Sequence, residues 1–256
     1  MVSAEGCVID LDGTLYHGGA PIPGAAEAIH RLRSAGIPIC FATNTTRRPR
    51  SALVARLASM GINVEPDELH TAPVAAAVWL AQNGARRISL LLDPATFEEF
   101  SNFEVEHEAP DHVVVGDLGD AWDFHILNRA FRALLAGAEL VAIQKNRSWD
   151  GGSGLQLDAG PFVAALEYAT GCEAVVVGKP SPAFFDTAAL ALDVPVSRLA
   201  VVGDGIATDV AGGQAAGCRT IAVRTGTFRE DQLAELGRPP DAVINSIADL
   251  PELMGV

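Results

Sequence analysis

Short apolar runs alternate with segments of helical period at both ends of the chain, and this alternation constrains the fold more than any other feature of the sequence. In the N-terminal part it predicts strands at 7–11 and 37–43 and helices at 24–35 and 49–60. Strands and helices that alternate in this way form right-handed parallel β–α–β units. The N-terminal part therefore predicts one half of a doubly wound parallel sheet.

The C-terminal part repeats the alternation. It predicts a helix at 182–192 with Ser181 as its N-cap, strands at 199–203 and 220–223, and a helix of small residues at 209–217. Both ends of the chain are thus expected to contribute to one Rossmann-like sheet.

The middle of the chain has secondary structure of its own. Strands are predicted at 88–92, 113–116 and 140–144, and apolar residues at helical spacing predict a helix at 123–136. About a hundred residues with their own strands and helices are too many for a loop. We therefore expect a discontinuous α/β core of residues 1–73 and 175–256, interrupted by a smaller α/β domain at 74–174.

Charge limits the kinds of partner. The chain carries 32 acidic and 18 basic residues, for a formal net charge of −14. Binding to nucleic acid needs clustered Lys and Arg, so this balance argues against a nucleic-acid partner and against adsorption to anionic membranes. A small anionic substrate stays possible, because a bound cation and local amides can reverse the charge of one pocket.

Cysteine usage and the N-terminal sequence indicate a cytoplasmic protein. The four cysteines (Cys7, Cys40, Cys172 and Cys218) form no CxxC pair and lie in or beside apolar stretches, which is typical of buried, reduced thiols. The first residues lack a basic segment followed by a long apolar one, and no apolar segment approaches the ~18 residues that span a bilayer.

Asp10 and Asp12 mark the carboxyl end of the first predicted strand, in the string DLDGT. Ligands of open parallel sheets bind beyond the carboxyl ends of the strands, and residues two apart on a strand point the same way. Two carboxylates about 4 Å apart repel by roughly 4 kcal/mol at an effective dielectric near 20. A cation or a shared proton could offset that repulsion, whereas a plain acidic turn closed by Gly13 is the alternative.

Asp204 ends a later predicted strand, and Asp209 follows five residues on. If the two strands are neighbours, Asp204 joins Asp10 and Asp12 in a pocket of three acids. Oxygen ligands without His or Cys favour Mg²⁺ over zinc. For Asp209 alone, the alternative is a helix N-cap.

Two more strand ends carry groups that suit a phosphate. Thr43 and Asn44 close the second predicted strand with a hydroxyl and an amide. Lys179 lies between Gly and Pro, directly after an apolar run and before a predicted helix. This position favours a specific role for Lys179 over a solvated surface charge.

These residues together resemble the four-motif signature of the haloacid dehalogenase (HAD) superfamily: DLDGT, a strand-end Thr, GKP, and GD followed by a further Asp. The strings ATNTT, NRSWDGGSGLQLDAGPF, VGKPSP and VRTGTFR resemble the NagD-like branch, whose members carry a type IIA cap between the second and third motifs. The resemblance spans essentially the whole chain, and it implies that the inserted domain is a cap.

The resemblance implies a role for each matching residue. Asp10 corresponds to the nucleophile that forms an aspartyl-phosphate, and Asp12 to the general acid and base. Thr43 and Lys179 correspond to the groups that hold the phosphoryl oxygens. The family's Mg²⁺ would bind the Asp10 carboxylate, the Asp12 backbone carbonyl and Asp204.

Four further residues bear on the expected site, two of them through the resemblance. Asp209 would order the metal's surroundings, and Asn146 in the 145–152 loop matches a cap asparagine that contacts substrate. Relatives often carry Asp or Asn where this chain has Gly205, which predicts weaker metal binding or weaker anchoring of Lys179. His17 follows the DLDGT loop and either borders the pocket or packs structurally.

The resemblance implies a phosphatase that acts on a small phosphorylated substrate, either a phosphomonoester or a phosphoramidate or pyrophosphate. A phosphotransferase or mutase that uses the same aspartyl-phosphate stays open. So does a non-catalytic binding protein or a phospho-accepting signalling module, although receiver domains are shorter and lack a cap. Related proteins often pair through their caps, so we expect a homodimer.

Overall fold

The computed structural model describes residues 2–150 and 154–256, and it has an α/β fold with parallel sheets, as predicted. The strands are β1 (Gly6–Asp10), β2 (Tyr16–His17), β3 (Ala20–Pro21), β4 (Ile39–Thr43), β5 (Leu69–Thr71), β6 (Arg87–Leu91), β7 (Glu104–Val105), β8 (His112–Val115), β9 (Glu139–Ala142), β10 (Ser148–Asp150), β11 (Leu155–Leu157), β12 (Val175–Val176), β13 (Leu199–Gly203), β14 (Arg219–Val223) and β15 (Ala242–Ile244). The α-helices are α1 (Ala25–Ser34), α2 (Arg50–Ser59), α3 (Ala72–Gln82), α4 (Phe124–Leu135), α5 (Ala159–Thr170), α6 (Pro182–Leu192), α7 (Ala211–Ala216) and α8 (Leu250–Met254). A π-helical turn covers Ile206–Val210, and short 3₁₀ helices cover Pro66–Glu68, Pro94–Phe100, Gly119–Ala121, Val196–Arg198, Glu230–Glu235 and Ile247–Asp249.

The chain divides into two compact units. Unit 1 comprises residues 2–43, 50–70 and 179–256, and unit 2 comprises 44–49 and the described part of 71–178. The sequence predicts that one part of the chain is a catalytic core and the other an inserted cap, and these two roles stay predictions.

Unit 1 is built on a sheet with the strand order β15-β14-β13-β1-β4-β5. β1 pairs in parallel with β4 on one side and β13 on the other. Every residue of β1 is buried, as in the inner strand of a sheet that is covered on both faces. The sequence therefore shows an unbroken apolar run there that ends at its first charge, Asp10.

The helices of unit 1 cover this sheet with apolar stripes. On α1 the buried residues lie at helical spacing (Ala25, Ala28, Ile29 and Leu32) and pack into one cluster with Ile9 and Phe41. Burial of a large apolar side chain such as Phe41 stabilises the fold by about 1.5–3 kcal/mol. The apolar core therefore fixes the strands whose ends carry the polar groups.

Unit 2 contains a second sheet, with the strand order β12-β9-β8-β6-β7. Neighbouring residues of its strands alternate between two apolar clusters, so that Leu90 belongs to one and Leu91 to the other. α3 packs into the first cluster, and α4 and α5 pack into the second. Unit 2 thus has its own core on both faces of its sheet.

Three local predictions need correction. Ser181 occupies the N-cap of α6, but its side chain makes no capping hydrogen bond. The helix expected at 209–217 starts earlier, as the π-helical turn, and becomes regular only in α7. The strand expected at 140–144 ends at Ala142, and the Gln144 side chain instead donates a hydrogen bond to Asp158.

The cysteines are all free, and Cys7, Cys40 and Cys218 are buried. In the part of the chain that the structure describes, no helix has the length and apolar character to cross a membrane.

Candidate active site

The carboxyl ends of β1, β4 and β13 bring polar residues together in unit 1. In the parallel register, Asp10 lies opposite Ala42, one residue before Thr43, and Ile9 lies opposite Val202. Asp10, Asp204 and Asp209 each offer a carboxylate oxygen within 4.8 Å of the others. Asp204 reaches this cluster from the residue after β13, and Asp209 reaches it from the π-helical turn.

Lys179 lies within this group of acids. Its Nζ donates hydrogen bonds to Asp10 Oδ1 at 2.5 Å and to Asp209 Oδ1 at 2.7 Å, and its side chain is only 3% exposed. A buried ammonium is costly unless it is paired and hydrogen-bonded, and here two carboxylates provide both. The Lys179 side chain is therefore held in place by the nucleophile candidate and by Asp209.

The second carboxylate oxygen of Asp209, Oδ2, accepts hydrogen bonds from residues in and next to the π-helical turn that carries Asp209. Oδ2 accepts hydrogen bonds from the Gly205 backbone N–H at 3.1 Å and from Thr208 Oγ1 at 3.3 Å. A Cβ on Gly205 would lie 2.1 Å from Thr208 Oγ1 and 2.7 Å from Asp209 Oδ2. Gly205 thus leaves room for this arrangement, while its effect on metal binding stays a prediction.

Asp204 is fixed by the loop that follows β14. Its Oδ2 accepts hydrogen bonds from the Thr227 backbone N–H at 2.5 Å and from Thr227 Oγ1 at 2.8 Å. Two glycines lie close to the same oxygen. A Cβ on Gly13 or on Gly226 would lie 2.2 Å from Asp204 Oδ2, so neither position has room for a side chain. Their φ angles of +92° and +62° are in the left-handed region that favours glycine.

The charges of this cluster balance only in part. Burial raises the pKa of the Asp10 carboxyl to about 8, Lys179 opposes this, and the nearby Asp209 and Asp204 raise it further. Burial also raises the pKa of Asp204. For Lys179, burial acts to lower the pKa, but Asp10 and Asp209 outweigh it and raise the pKa, so the ammonium stays charged.

The donor set fits a magnesium ion. Three carboxylates face one ammonium, which leaves an excess of negative charge when all are ionised. The cluster offers only oxygen ligands, which Mg²⁺ prefers. The third carboxylate of the cluster is that of Asp209, whereas the sequence suggested Asp12.

Asp12 has a different environment from Asp10. Its side chain is 68% exposed, and its Oδ1 lies 3.8 Å from His17 Nδ1, on an imidazole that is itself 59% exposed. Asp12 therefore lies at the surface of unit 1, two residues beyond the buried Asp10. Its assignment as general acid, and its carbonyl as a metal ligand, stay predictions.

Thr43 and Asn44 fall in different units. Thr43 is buried at the end of β4 in unit 1. Asn44 groups with unit 2, where a Cβ on Gly178 would lie 3.1 Å from Asn44 Oδ1. Their roles as phosphate ligands stay predictions.

Asn146 lies on the surface of unit 2. Its side chain hydrogen-bonds the Asp158 carboxylate, and its backbone N–H donates to Gln144 Oε1 at 2.6 Å. Within the 145–152 loop, Gly151 and Gly152 lie outside the described residues. Contact of this loop with substrate stays a prediction.

Arg47 belongs to the same unit and forms an ion pair there. Its guanidinium pairs with the buried Asp117 carboxylate, with NH2 2.9 Å from Oδ1, and lies 4.7 Å from the centre of the Trp149 ring. The side chain therefore anchors the 44–49 segment within unit 2.

Sequence reasoning missed the threonines that surround the acids, namely Thr208, Thr225 and Thr227. For Thr225 and Thr227 the available signal was the string RTGT directly after the predicted strand at 220–223. It lies within VRTGTFR, which entered the sequence analysis only through its resemblance to the NagD-like branch, although it places polar groups and a glycine at the carboxyl end of a strand, as DLDGT does.

Comparison with known proteins identifies the family. Residues 7–106 match the profile of the haloacid dehalogenase-like hydrolases, and residues 176–250 match a HAD-hydrolase-like profile. The chain is also 34% identical to phospholysine phosphohistidine inorganic pyrophosphate phosphatase from Homo sapiens, over 99% of this chain and 95% of the relative. The chain belongs to the haloacid dehalogenase-like hydrolases. The HAD family predicted from the motifs is thereby confirmed.

Solved structures of HAD phosphatases have the same fold. A p-nitrophenyl phosphatase from Archaeoglobus fulgidus matches with a TM-score of 0.89 and 32% identity, over 98% of this chain and all of that one. NagD from E. coli K-12 matches with a TM-score of 0.89 and 26% identity, over 97% and 98%. The similarity to the NagD-like branch is confirmed, and the chain is a HAD-like phosphohydrolase.

Proposed function

We propose that this chain is a Mg²⁺-dependent phosphatase that hydrolyses small phosphorylated substrates through an aspartyl-phosphate on Asp10. The observation that carries the proposal is the cluster at the strand ends of unit 1. There Asp10 accepts a hydrogen bond from the buried Lys179 and lies within 4.8 Å of two further carboxylates. In such a cluster one carboxylate can act as the nucleophile, and the fixed ammonium can stabilise charge that develops on the phosphoryl oxygens.

The reaction proceeds in two displacements. In the first, an oxygen of the Asp10 carboxylate attacks phosphorus and the bond to the leaving group breaks, while Asp12 gives its proton to the departing oxygen or nitrogen. In the second, Asp12 takes a proton from water, and that water attacks the aspartyl-phosphate and releases inorganic phosphate and Asp10. The exposure of the Asp12 side chain suits a group that must meet both a leaving group and water.

Asp10, Asp204 and the Asp12 backbone carbonyl would hold the Mg²⁺, which supplies positive charge where one anion attacks another. Asp209 keeps Lys179 pointed at Asp10, through the 2.7 Å hydrogen bond to Nζ. Lys179, Thr43 and the Asn44 amide bind the oxygens of the transferring phosphoryl group as charge develops there.

The substrate is a phosphomonoester, a phosphoramidate or a pyrophosphate. The name of the human relative, phospholysine phosphohistidine inorganic pyrophosphate phosphatase, covers the last two classes, and the p-nitrophenyl phosphatase from Archaeoglobus fulgidus is named for an aryl phosphomonoester. We further propose that residues 74–174 act as a cap in which Asn146 contacts the leaving group, that the protein pairs through this cap, and that it works in the cytoplasm.

Phosphate release from a panel of substrates tests the activity. The panel contains p-nitrophenyl phosphate, sugar phosphates, nucleotides, phospholysine and pyrophosphate, each with Mg²⁺ or with a chelator. Wild type should turn over at least one compound in a Mg²⁺-dependent manner, and Asp10→Asn should lose about three orders of magnitude or more because an amide cannot act as the nucleophile.

The matched control is Asp193→Asn, which makes the same carboxylate-to-amide change at an exposed residue after α6. Its activity should equal that of wild type. Turnover that survives in Asp10→Asn, or that is unaffected by chelation, would contradict the proposal.

A further inference from the structure

The loop that follows β14 makes hydrogen bonds to the segments that follow β1 and β13. We call Thr225, Gly226 and Thr227 the threonine loop. Thr227 donates two hydrogen bonds to Asp204 Oδ2, from its backbone N–H at 2.5 Å and from its hydroxyl at 2.8 Å. Thr225 Oγ1 donates to the backbone carbonyl of Gly13 at 2.5 Å. One short loop therefore contacts both the DLDGT turn and the carboxylate after β13.

The contact is close enough to restrict movement. A Cβ on Gly226 would lie 2.2 Å from Asp204 Oδ2 and 2.4 Å from Gly13 Cα, and the φ of Gly226 is +62°. The backbone of the threonine loop thus packs directly on Asp204 and on the turn that carries Asp12. Neither can shift without displacing the loop.

The two hydrogen bonds fix the rotation of the Asp204 carboxylate. Both end on Oδ2, one from the backbone N–H and one from the hydroxyl of Thr227. A carboxylate whose rotation is already fixed loses less entropy when it binds a metal. Loss of a partner that orients a ligand typically weakens metal binding 10- to 100-fold.

We propose that Thr227 is a positioning residue that holds Asp204 in the metal-binding orientation, and that its hydroxyl sets the Mg²⁺ affinity of the site. This inference rests on the proposed function, because it assumes that Asp204 binds Mg²⁺. It assigns the threonine loop a role in metal binding, with no direct contact to substrate.

The test compares Thr227→Val with Thr227→Ser. Valine keeps the shape and the backbone N–H but removes the hydroxyl, whereas serine keeps the hydroxyl. Thr227 is exposed, so the change removes no buried packing. The matched control is Thr220→Val on β14, because the Thr220 hydroxyl is buried and has no hydrogen-bond partner in the described part of the chain.

The primary readout is the Kd for Mg²⁺, measured by calorimetric titration of the metal-free protein, with urea unfolding as a measure of fold integrity. We expect Thr227→Val to raise the Kd about 10-fold, and Thr227→Ser and Thr220→Val to stay within about twofold of wild type. At saturating Mg²⁺, the kcat and the substrate KM of Thr227→Val should stay within about threefold of wild type, since the loop acts through the metal.

The outcomes separate this inference from the proposed function. If wild type binds Mg²⁺ and Thr227→Val binds it equally well, only the role of Thr227 is overturned, and any loss of urea stability then marks a structural role. If metal-free wild type binds no Mg²⁺, the proposed function and this inference fail together.

Discussion

Lys179 illustrates what single residues contribute to this site. The sequence indicated a specific role for it from its place between Gly and Pro after an apolar run. The structure adds that Lys179 donates hydrogen bonds to Asp10 and Asp209. Asp10 lies 169 residues before it in the chain, and Asp209 lies 30 residues after it. Such long-range pairing leaves no local pattern, so the strand-end acids were predictable one by one but their hydrogen bonds were not.

Asp12 gives a prediction at the residue scale. If it is the general acid, Asp12→Asn should slow the cleavage of alkyl phosphates, whose leaving groups need a proton, by about 10²–10⁴-fold. For p-nitrophenyl phosphate, which has a good leaving group, the first displacement should persist and the second should slow, since Asp12 also activates water. The phosphorylated enzyme should then accumulate, as an acid quench followed by mass spectrometry would detect.

The pattern across leaving groups is the control for that prediction. An equal loss of rate for alkyl and aryl phosphates, with no accumulation of phosphorylated enzyme, would show that Asp12 does not act as an acid.

Elements were predictable where the local pattern is strong. β1, β4 and β13 are short apolar runs, and the predicted strands overlap them closely. The π-helical turn was missed because no local sequence pattern marks it, and its Asp209 bonds Lys179, which lies 30 residues away along the chain. α3 was missed because it is rich in alanine and apolar on most sides, which leaves no stripe of helical spacing.

Packing of β5 against α6 gives a prediction at the element scale. His70 on β5 is buried, its Nε2 lies 2.9 Å from Thr187 Oγ1 on α6, and burial lowers the pKa of its imidazole to about 4. The unfolded chain binds a proton near pH 6.5, whereas the folded chain does not until about pH 4. Stability from this residue is therefore fully present above pH 6.5 and is lost as the pH falls towards 4.

His70 alone is expected to lower the free energy of unfolding by about 2 kcal/mol between pH 8 and pH 5. Other groups, Asp10 among them, add their own pH dependence, so urea unfolding at both pH values should give the same total change in wild type and in the control His30→Gln, which replaces an exposed histidine on α1. In His70→Gln the free energy of unfolding at pH 5, relative to its value at pH 8, should be about 2 kcal/mol higher than in wild type. An unchanged pH dependence in His70→Gln would rule out the buried neutral imidazole as its cause.

At the scale of the whole molecule, each of the two units has its own apolar core, and the acidic cluster lies in one of them. The three acids and Lys179 all belong to unit 1 and come from its first and last segments, 2–43 and 179–256. The sequence could predict this assembly because acids recur at the carboxyl ends of strands in a parallel sheet. It could not identify the substrate, because recognition of a leaving group depends on side-chain geometry that no spacing rule describes.

Magnesium gives a prediction for the whole molecule. An ion that binds only the folded chain stabilises it by about 2.7 kcal/mol at 100 times its Kd, which should raise the Tm by roughly 5 °C or more. Differential scanning calorimetry with Mg²⁺ and with chelator should show this rise in wild type and not in Asp204→Asn. NaCl at equal ionic strength separates it from general screening of the net charge of −14.

Two results would contradict that prediction. One is an equal rise in Tm with NaCl, which would assign the effect to charge screening. The other is a full response of Asp204→Asn to Mg²⁺, which would place the ion elsewhere.

The most direct test of the central claim is the location of the phosphoryl group during turnover. Wild type is mixed with p-nitrophenyl phosphate and Mg²⁺ for milliseconds, quenched in acid, digested and analysed by mass spectrometry. The account predicts a phosphoryl group on Asp10 in the peptide that contains DLDGT, and none in Asp10→Asn. A phosphoryl group on another residue, or rapid turnover in which Asp10 is never phosphorylated, would contradict it.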